Sequence, residues 1–274
     1  MRALMAVPFP SEEFWRDRNS YAWLAQLSLR GFAWEFLRRN AEYRAHWVNV
    51  QPVQTTFEPM PGMHVVGVSQ YEAASESWAS LGPLEDPSRD ARIANVFWIP
   101  QECATVLPVV AMKDGRENFQ LQLSEISKTC RIIVYPESDE HEHVLFTAEG
   151  LSLQIDVRGT SLFQATRLFP DLTSYLSPNG TPARSARQFA DLIVHHSLRP
   201  HLYPPARQAR RLMEVLQALD GDLASASRQE IAIALFGAPR VKQEWRSRSM
   251  QAHVRNAILR GKSLMNGGYK ALLT

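Results

Sequence analysis

The side chains best suited to binding chemistry lie near the end of the chain. From about Ser249 to Met265 the apolar residues fall on one face of a helix at about 100° per residue. A separate stripe beside that face holds Arg248, Gln251, Arg255 and Lys262. Arg and Gln suit bidentate contacts to base edges, and Arg and Lys bind phosphates. We therefore predict that DNA is contacted by this stripe, with Arg246 and Arg260 as phosphate partners, giving the full set Arg228, Arg246, Arg248, Gln251, Arg255, Arg260 and Lys262.

A second cluster of candidate ligands is Glu140, His141, Glu142 and His143. On a strand, His141 and His143 share a face, which suits a two-histidine metal site. A third ligand would then come from His195 or His196. The interpretation favoured by the sequence is a polar turn that leads into a strand, so we predict neither a metal nor another cofactor.

Familiar catalytic motifs are missing from the sequence. The chain has no phosphate-binding glycine loop, no dinucleotide glycine motif, no nucleophile elbow, no Cys-x-x-Cys and no His-Glu-x-x-His. We therefore predict that the protein is not an enzyme and has no catalytic residue. A metal-dependent hydrolase that uses His141 and His143 is a distant alternative.

The elements that must position these residues form three zones, which predict an α+β protein. Residues 1–50 are helical and aromatic, and Arg38, Arg39 and Arg44 are interpreted as a solvated helix face. Residues 51–92 carry five prolines and predict a loop-rich connection. Residues 93–184 form a β-rich domain that we predict to be antiparallel. Residues 185–274 form an all-α domain.

The β-rich zone is predicted from short runs that are rich in β-branched residues. A two-residue turn at Glu149-Gly150 predicts a hairpin between the last two of these runs, and a further strand is expected at Thr166–Phe169. The runs themselves are ANVFWI, ATVLPVVAM, FQLQLS, TCRIIVY, EHVLFTA and LSLQIDV.

The C-terminal zone contains the signals of a helix-turn-helix. Helices are expected over Ser185–Leu198 and from Pro204-Pro205 onward. Ser227 and Glu230 have the spacing of a capping box that opens a short helix, which Gly237 ends. The connection from Gly237 to Ser247 is longer than the usual tight turn, so the motif is predicted to be a variant.

The charge of the chain is unevenly distributed along the sequence. The 274 residues carry 30 Lys and Arg against 28 Asp and Glu, a formal net charge of +2. Residues 203–274 carry 12 cations against five acids, so this part is +7 and residues 1–202 are −5. A globular body with a basic helical end is the electrostatic pattern of a DNA-binding protein. The two isolated cysteines and the lack of a long apolar segment predict a cytoplasmic location without membrane contact.

Both ends of the chain resemble the RovC/FseA-type bacterial transcriptional activators. The C-terminal likeness lies in RPHLYPPARQARRLMEVLQALDGDLASASRQEIAIALFG and VKQEWRSRSMQAHVRNAILRGKSLMNGGYKALL. The N-terminal segment AWEFLRRNAEYRAHW, at Ala33–Trp47, is similar to the separate domain that opens the same proteins. The resemblance implies a helix-turn-helix variant that binds promoter DNA. It also implies an activator of integrative conjugative element transfer or of type VI secretion genes.

The prediction is therefore a sequence-specific transcriptional regulator of the activator type. Factors that read DNA through one short helix commonly work as dimers or larger assemblies, so a homo-oligomer is expected. The aromatic N-terminal helices are a hypothetical surface for assembly or for RNA polymerase. The alternative is an antiactivator, a protein-interaction module that docks on a related domain and does not bind DNA.

Overall fold

The computed structural model describes residues 14–49, 54–67, 77–81, 84–113, 119–164, 166–171 and 182–274. The chain divides into two compact units. One joins Met1–Arg44 to Pro204–Leu272, and the other contains Ala45–Tyr203 with Leu273–Thr274. The N-terminal helices therefore pack with the C-terminal helices, across the whole intervening sequence. The domain ranges expected from the sequence stay predictions. The segment Lys113-Asp114-Gly115, a turn signal between two of the β-rich runs, lies mostly outside the described residues.

The helices and strands follow one another along the chain as mixed α and β structure. The helices are α1 Leu29–Leu37, α2 Ala41–Asn49, α3 Phe119–Ile126, α4 Pro182–His195, α5 Ala209–Leu223, α6 Arg228–Phe236, α7 Ala238–Glu244 and α8 Arg248–Met265. Short 3-10 helices cover Phe14–Arg16, Arg18–Gln26, Pro200–Leu202 and Gly268–Leu272. The strands are β1 Gln54–Met60, β2 Met63–Gly67, β3 Leu107–Lys113, β4 Arg131–Ser138, β5 His141–Ala148, β6 Leu151–Gly159 and β7 Thr166–Pro170.

The helical unit has a core in which α5 and α8 approach each other closely. The apolar residues of α5 at i, i+3, i+4 and i+7 are all buried: Leu212, Val215, Leu216 and Leu219. At Gly261 of α8, an added Cβ would lie 2.8 Å from the Leu219 Cβ and 3.2 Å from the Val215 carbonyl oxygen. Glycine is therefore required here by the short distance between the two helices. Helix α5 begins at Ala209 rather than at Pro204-Pro205, and in the segment before it the Ala206 N–H donates to the Leu27 carbonyl at 2.8 Å.

A buried ion network ties α1 to α5 in this unit. Arg39 directs Nε and Nη2 at the two carboxylate oxygens of Asp220, at 2.5 and 2.8 Å, and Nη1 at Glu35 Oε2, at 2.7 Å. Arg38 Nε donates to the same Glu35 oxygen at 2.8 Å, and the Tyr21 hydroxyl donates to Asp220 Oδ2 at 2.6 Å. The interpretation of Arg38 and Arg39 as a solvated face is wrong. Both side chains are buried, and their two positive charges are balanced by the two buried carboxylates of Glu35 and Asp220.

The ionisation of this network follows from its burial. Burial alone lowers the pKa of Arg39, but Asp220 and Glu35 outweigh it, so the pKa lies above its usual value. Burial raises the pKa of Tyr21, and the neighbouring Asp220 raises it further. The phenol therefore stays protonated and serves as a donor to Asp220.

The second unit contains a seven-stranded sheet with the order β1-β2-β4-β5-β6-β3-β7. The expectation of an antiparallel domain is wrong in this detail, since β2 pairs with β4 and β3 pairs with β6 in parallel. Strands β1 and β2 lie within the segment predicted as a loop-rich connection. The hairpin at Glu149-Gly150 is confirmed: Ala148 pairs with Leu151, and both turn residues have positive φ.

Two of the runs predicted as strands have other conformations. FQLQLS forms α3, because Leu123 and Ile126 are three residues apart and both are buried against the sheet. ANVFWI forms only an isolated bridge between Trp98 and Ser80. Its backbone is held by the buried Gln154 side chain, which bonds both the N–H and the carbonyl of Trp98, at 3.0 and 2.8 Å.

The sheet is covered on both faces. Residues of α3 and α4 pack on one face, where Leu123, Phe189 and Leu192 join a core with the strand residues. Phe97 and Leu81 pack on the other face against Tyr135 and Leu145. The α+β class with terminal helices and a central sheet is confirmed. Within the described parts of the chain, no helix has the length and the apolar character needed to span a membrane.

Candidate nucleic-acid interface

Helix α6 begins with the capping box that the sequence predicts. The Ser227 hydroxyl accepts from the Glu230 N–H at 3.2 Å, and Glu230 Oε2 accepts from the Ser227 N–H at 2.9 Å. The backbone hydrogen bond from Ser227 lowers the pKa of Glu230, as does the nearby Arg16 guanidinium. Gly237 ends the helix with φ +85°, a value that suits a residue without a Cβ.

The connection between α6 and the long helix is itself helical. Helix α7, Ala238–Glu244, occupies most of the segment predicted as an extended turn, and a turn of three residues, 245–247, leads into α8. Its signals are present in the sequence. Pro239 occupies the first turn, Val241 is buried, and Arg240 and Glu244 pair at i,i+4 with 3.1 Å between Nε and Oε2.

Helix α8 places the predicted contact residues on its solvent side. It runs from Arg248 to Met265, and the Ser247 hydroxyl caps it by accepting from the N–H groups of Ser249 and Met250. At 100° per residue, the four stripe residues fall within about 60° of one another. All four stripe residues, Arg248, Gln251, Arg255 and Lys262, are exposed. The apolar face of the helix is buried at Met250, Val254, Ala257, Ile258 and Gly261.

The stripe residues differ in their local partners. Lys262 Nζ lies 2.8 Å from Asp222 Oδ2 of α5, in a pair whose side chains are 47% and 27% exposed. The Gln251 amide donates to the Trp245 carbonyl at 2.9 Å, which leaves its carbonyl oxygen open for recognition. Arg255 is exposed and makes no ion pair among the residues that the structure describes.

The other three predicted contacts lie outside the stripe. Arg246 is exposed in the turn before α8, and Arg228 is exposed at the first residue of α6. Arg260 is half-buried, its Nε has no hydrogen-bond partner, and it lies about 140° around α8 from Arg255. On that flank, His253 packs edge-on against Phe236, with ring centroids 5.4 Å apart. The structure thus does not bring Arg260 together with the stripe.

The charge separation is larger in the fold than along the sequence. The N-terminal segment that joins the helical unit brings further arginines into it. Residues 14–44 and 204–272 together hold 18 Lys and Arg against eight Asp and Glu, a formal charge of +10, so the remaining residues carry −8. The positive field is therefore a property of the whole helical unit, which includes α6, α7 and α8.

The histidines of the alternative site lie in the other unit. His141 and His143 share a face of β5, as predicted. Glu142 points to the opposite face, where it is buried and accepts from the Ser161 hydroxyl and the Leu162 N–H. His196 bonds Gln122 at 2.9 Å. Among the described residues, the group that could hold a metal contains neither His195 nor His196, because its third member is Glu137.

Two comparisons with known families match the two ends of the chain. Residues 180–274 match the DNA-binding domain of a T6SS transcription factor. Residues 14–78 match a proteobacterial transcriptional regulator-like domain. The resemblance to the RovC/FseA-type regulators is confirmed. The comparison with curated proteins gave no match.

Each match includes helices of the helical unit and extends into the other unit. The T6SS transcription factor domain covers α4 to α8, and the regulator-like domain covers α1, α2, β1 and β2. The two domains are those of transcriptional regulators, and DNA is the partner that the C-terminal one implies. Sequence reasoning missed α7, because the helix has about two turns and a single buried apolar residue, Val241, so no repeating apolar pattern appears.

Proposed function

We propose that this protein is a sequence-specific transcriptional regulator that contacts DNA through the exposed stripe of α8. The observation that carries the proposal is the formal charge of +10 on the described helical unit, together with the four exposed stripe residues on one side of a capped helix. The match to a DNA-binding domain supports the same conclusion. Positive charge supplies affinity for phosphates, and Arg and Gln supply base recognition.

The dimensions of α8 suit a major groove. With a rise of about 1.5 Å per residue, Arg248 and Arg255 are about 10.5 Å apart along the axis, which corresponds to about three base pairs. We assign base contacts to Arg248, Gln251 and Arg255. Lys262 lies about 10.5 Å further along the helix, where phosphate contact is the better assignment. Arg260, on the other flank, would serve the opposite backbone of the groove.

The biological setting proposed for the regulator follows from its family. We propose an activator that acts in the cytoplasm on type VI secretion genes or on genes of an integrative conjugative element. Contact with RNA polymerase and assembly into a homo-oligomer belong to the same proposal. The N-terminal helices that pack with α5 and α8 are the surface to which we assign these contacts.

One observation favours protein docking as a second function of the same face. Leu259 is 58% exposed and lies about 20° around α8 from Arg248, next to the edge of the basic stripe. An apolar side chain at that place suits either a thymine methyl group or a protein partner. An antiactivator role would use Leu259 and would not need the arginines beside it.

The two functions are separated by binding measurements on the full-length chain. Fluorescence anisotropy would be used with labelled duplexes from the region upstream of the target operon. Arg255→Ala is expected to weaken binding by about 5- to 150-fold, the equivalent of about 1–3 kcal/mol for a base contact. Arg131→Ala, at an exposed position of β4 outside both matched domains, is the matched control and is expected to leave affinity unchanged.

The binding data of the Arg255 and Leu259 variants distinguish DNA binding from protein docking. If Leu259→Ala abolishes binding to a partner domain while Arg255→Ala and the wild type bind duplex DNA equally weakly, the DNA-binding proposal is wrong. Circular dichroism of each variant shows that the comparison is made between folded proteins.

A further inference from the structure

A group of four ionisable side chains lies at one edge of the sheet, in the unit that carries no predicted DNA contact. Glu137 is near the end of β4, His141 and His143 are at the start of β5, and Asp156 lies on β6 beside them. Ligand atoms of Glu137, His141 and His143 all lie within 4.8 Å of one another. His143 and Asp156 are buried, whereas 24% of His141 and 36% of Glu137 remain exposed.

Each imidazole in this group faces both carboxylates. His141 Nδ1 lies 2.7 Å from Glu137 Oε2, and His141 Nε2 lies 2.6 Å from Asp156 Oδ1. His143 Nε2 lies 3.0 Å from the same Glu137 oxygen, and His143 Nδ1 lies 3.1 Å from the same Asp156 oxygen. The last contact is not aligned as a hydrogen bond, so the buried His143 Nδ1 has no hydrogen-bond partner.

Only two of these four contacts are aligned as hydrogen bonds, namely His141 Nε2 with Asp156 and His143 Nε2 with Glu137. The Nδ1 atoms of His141 and His143 lie 2.7 and 3.1 Å from carboxylate oxygens without an aligned hydrogen bond. The group also holds two carboxylates, a formal charge of −2, and Arg158 lies near it, with its Nε 3.6 Å from Asp156 Oδ2. A divalent cation bound by one nitrogen of each ring and by the Glu137 carboxylate would give these ligand atoms a common partner.

We propose that Glu137, His141 and His143 bind a divalent transition-metal ion of the Zn²⁺ type. The ligand atoms are Glu137 Oε2, His141 Nδ1 and His143 Nε2. The remaining N–H of each imidazole then faces Asp156 Oδ1, the carboxylate arrangement that orients metal-bound histidines in proteins. Two imidazoles and one carboxylate are a ligand set for zinc and its neighbours rather than for calcium or magnesium.

The Glu137 carboxylate needs only a small displacement from the two ring nitrogens to share an ion with them, and all three ligand atoms lie within 4.8 Å of one another. A tetrahedral zinc site with bonds of about 2.0–2.1 Å separates its ligand atoms by about 3.3 Å. The Glu137 oxygen is 2.7 and 3.0 Å from the two nitrogens, so these atoms must separate by about 0.3–0.6 Å. The exposed parts of Glu137 and His141 leave room for a water molecule as the fourth ligand. The ring of Tyr135 stacks on His143, with centroids 5.7 Å apart, and holds it in place.

The proposal is tested with zinc binding to the full-length protein, purified without a histidine tag. Isothermal titration with ZnCl₂ and metal analysis after dialysis are expected to give one Zn²⁺ per chain with submicromolar affinity. His143→Ala and His141→Ala should each weaken binding at least 100-fold. Asp156→Asn should weaken it by about 10- to 100-fold, as is usual when the partner of a metal-bound histidine is lost.

Controls separate a metal site from other outcomes. The side chains changed in Glu137→Gln and His141→Ala are partly exposed, so these variants are expected to fold. They test the same site if the buried change His143→Ala prevents folding. His253→Ala, in the helical unit, should bind zinc as the wild type does, and MgCl₂ should not compete. The proposal is wrong if the folded wild type takes up no stoichiometric zinc at micromolar concentration, or if His141→Ala and Glu137→Gln bind it unchanged. The outcome is independent of DNA binding, since Arg255→Ala should bind zinc normally.

Discussion

Replacing Arg39 should destabilise the helical unit more than replacing any of its exposed arginines. The Arg39 guanidinium is buried and makes three charged contacts of 2.5 to 2.8 Å with Asp220 and Glu35. Arg39→Met keeps most of the apolar stem but leaves two buried carboxylates short of a positive partner. Breaking a buried ion pair from one side costs about 3–5 kcal/mol. That loss is a large part of the total stability of about 5–15 kcal/mol that is usual for a domain.

The assay is urea unfolding of the full-length chain, followed by far-ultraviolet circular dichroism and tryptophan fluorescence. Arg39→Met is expected to lower the free energy of unfolding of the helical unit by about 3–5 kcal/mol. Arg211→Met, at an exposed position of α5, is the matched control and should change it by less than about 0.5 kcal/mol.

A double variant shows whether the loss comes from the charge left behind. In Arg39→Met with Asp220→Asn, the stranded carboxylate becomes a neutral amide, so part of the stability should return. A double-mutant cycle would then give a coupling of about 1–3 kcal/mol between Arg39 and Asp220. A loss below about 1 kcal/mol in the single variant, or additive effects in the cycle, would refute the account of a tightly coupled buried pair.

Two further predictions concern α8. Gly261→Val should lower the free energy of unfolding by about 1–3 kcal/mol, because the added carbons meet Leu219 and the Val215 carbonyl. The free energy is measured by urea unfolding. An unchanged value would contradict the close approach of α5 and α8. Asp222→Asn should change stability by less than about 1 kcal/mol, since its pair with Lys262 is partly exposed. In an anisotropy titration, Asp222→Asn should raise the affinity for DNA up to about fivefold, because the change releases Lys262 from its ion pair and removes one negative charge. An unchanged affinity would show that Lys262 does not contact the DNA.

Local signals along the sequence were enough to predict the helix ends that matter for the site. The capping box at Ser227 and Glu230 involves residues three apart, so the sequence alone contains both partners. The apolar period of α8 and the hairpin turn at Glu149-Gly150 are likewise local patterns. These elements could be predicted because their causes lie within a few residues of one another.

Long-range packing was out of reach of the same reasoning. Arg39 and Asp220 are 181 positions apart, and nothing near Arg39 in the sequence shows that a buried carboxylate will meet it. Apolar and polar residues alternate in the run FQLQLS, which is the pattern of a strand. The segment is nevertheless a helix, because a helix buries both Leu123 and Ile126 against the sheet. The place of Glu137 beside His141 and His143 was likewise missed, because the β4–β5 pairing has a register shift between Pro136 and Ser138, at Glu137 itself.

The salt dependence of DNA binding tests the central claim most directly. The affinity of the full-length chain for a duplex would be measured from about 50 to 200 mM salt. Six proposed cations, Arg228, Arg246, Arg248, Arg255, Arg260 and Lys262, predict a slope of log affinity against log salt of about −5, and Arg246→Ala should make it less steep by about one. A slope near zero for the folded protein, unchanged by Arg246→Ala, would contradict DNA binding by the helical unit.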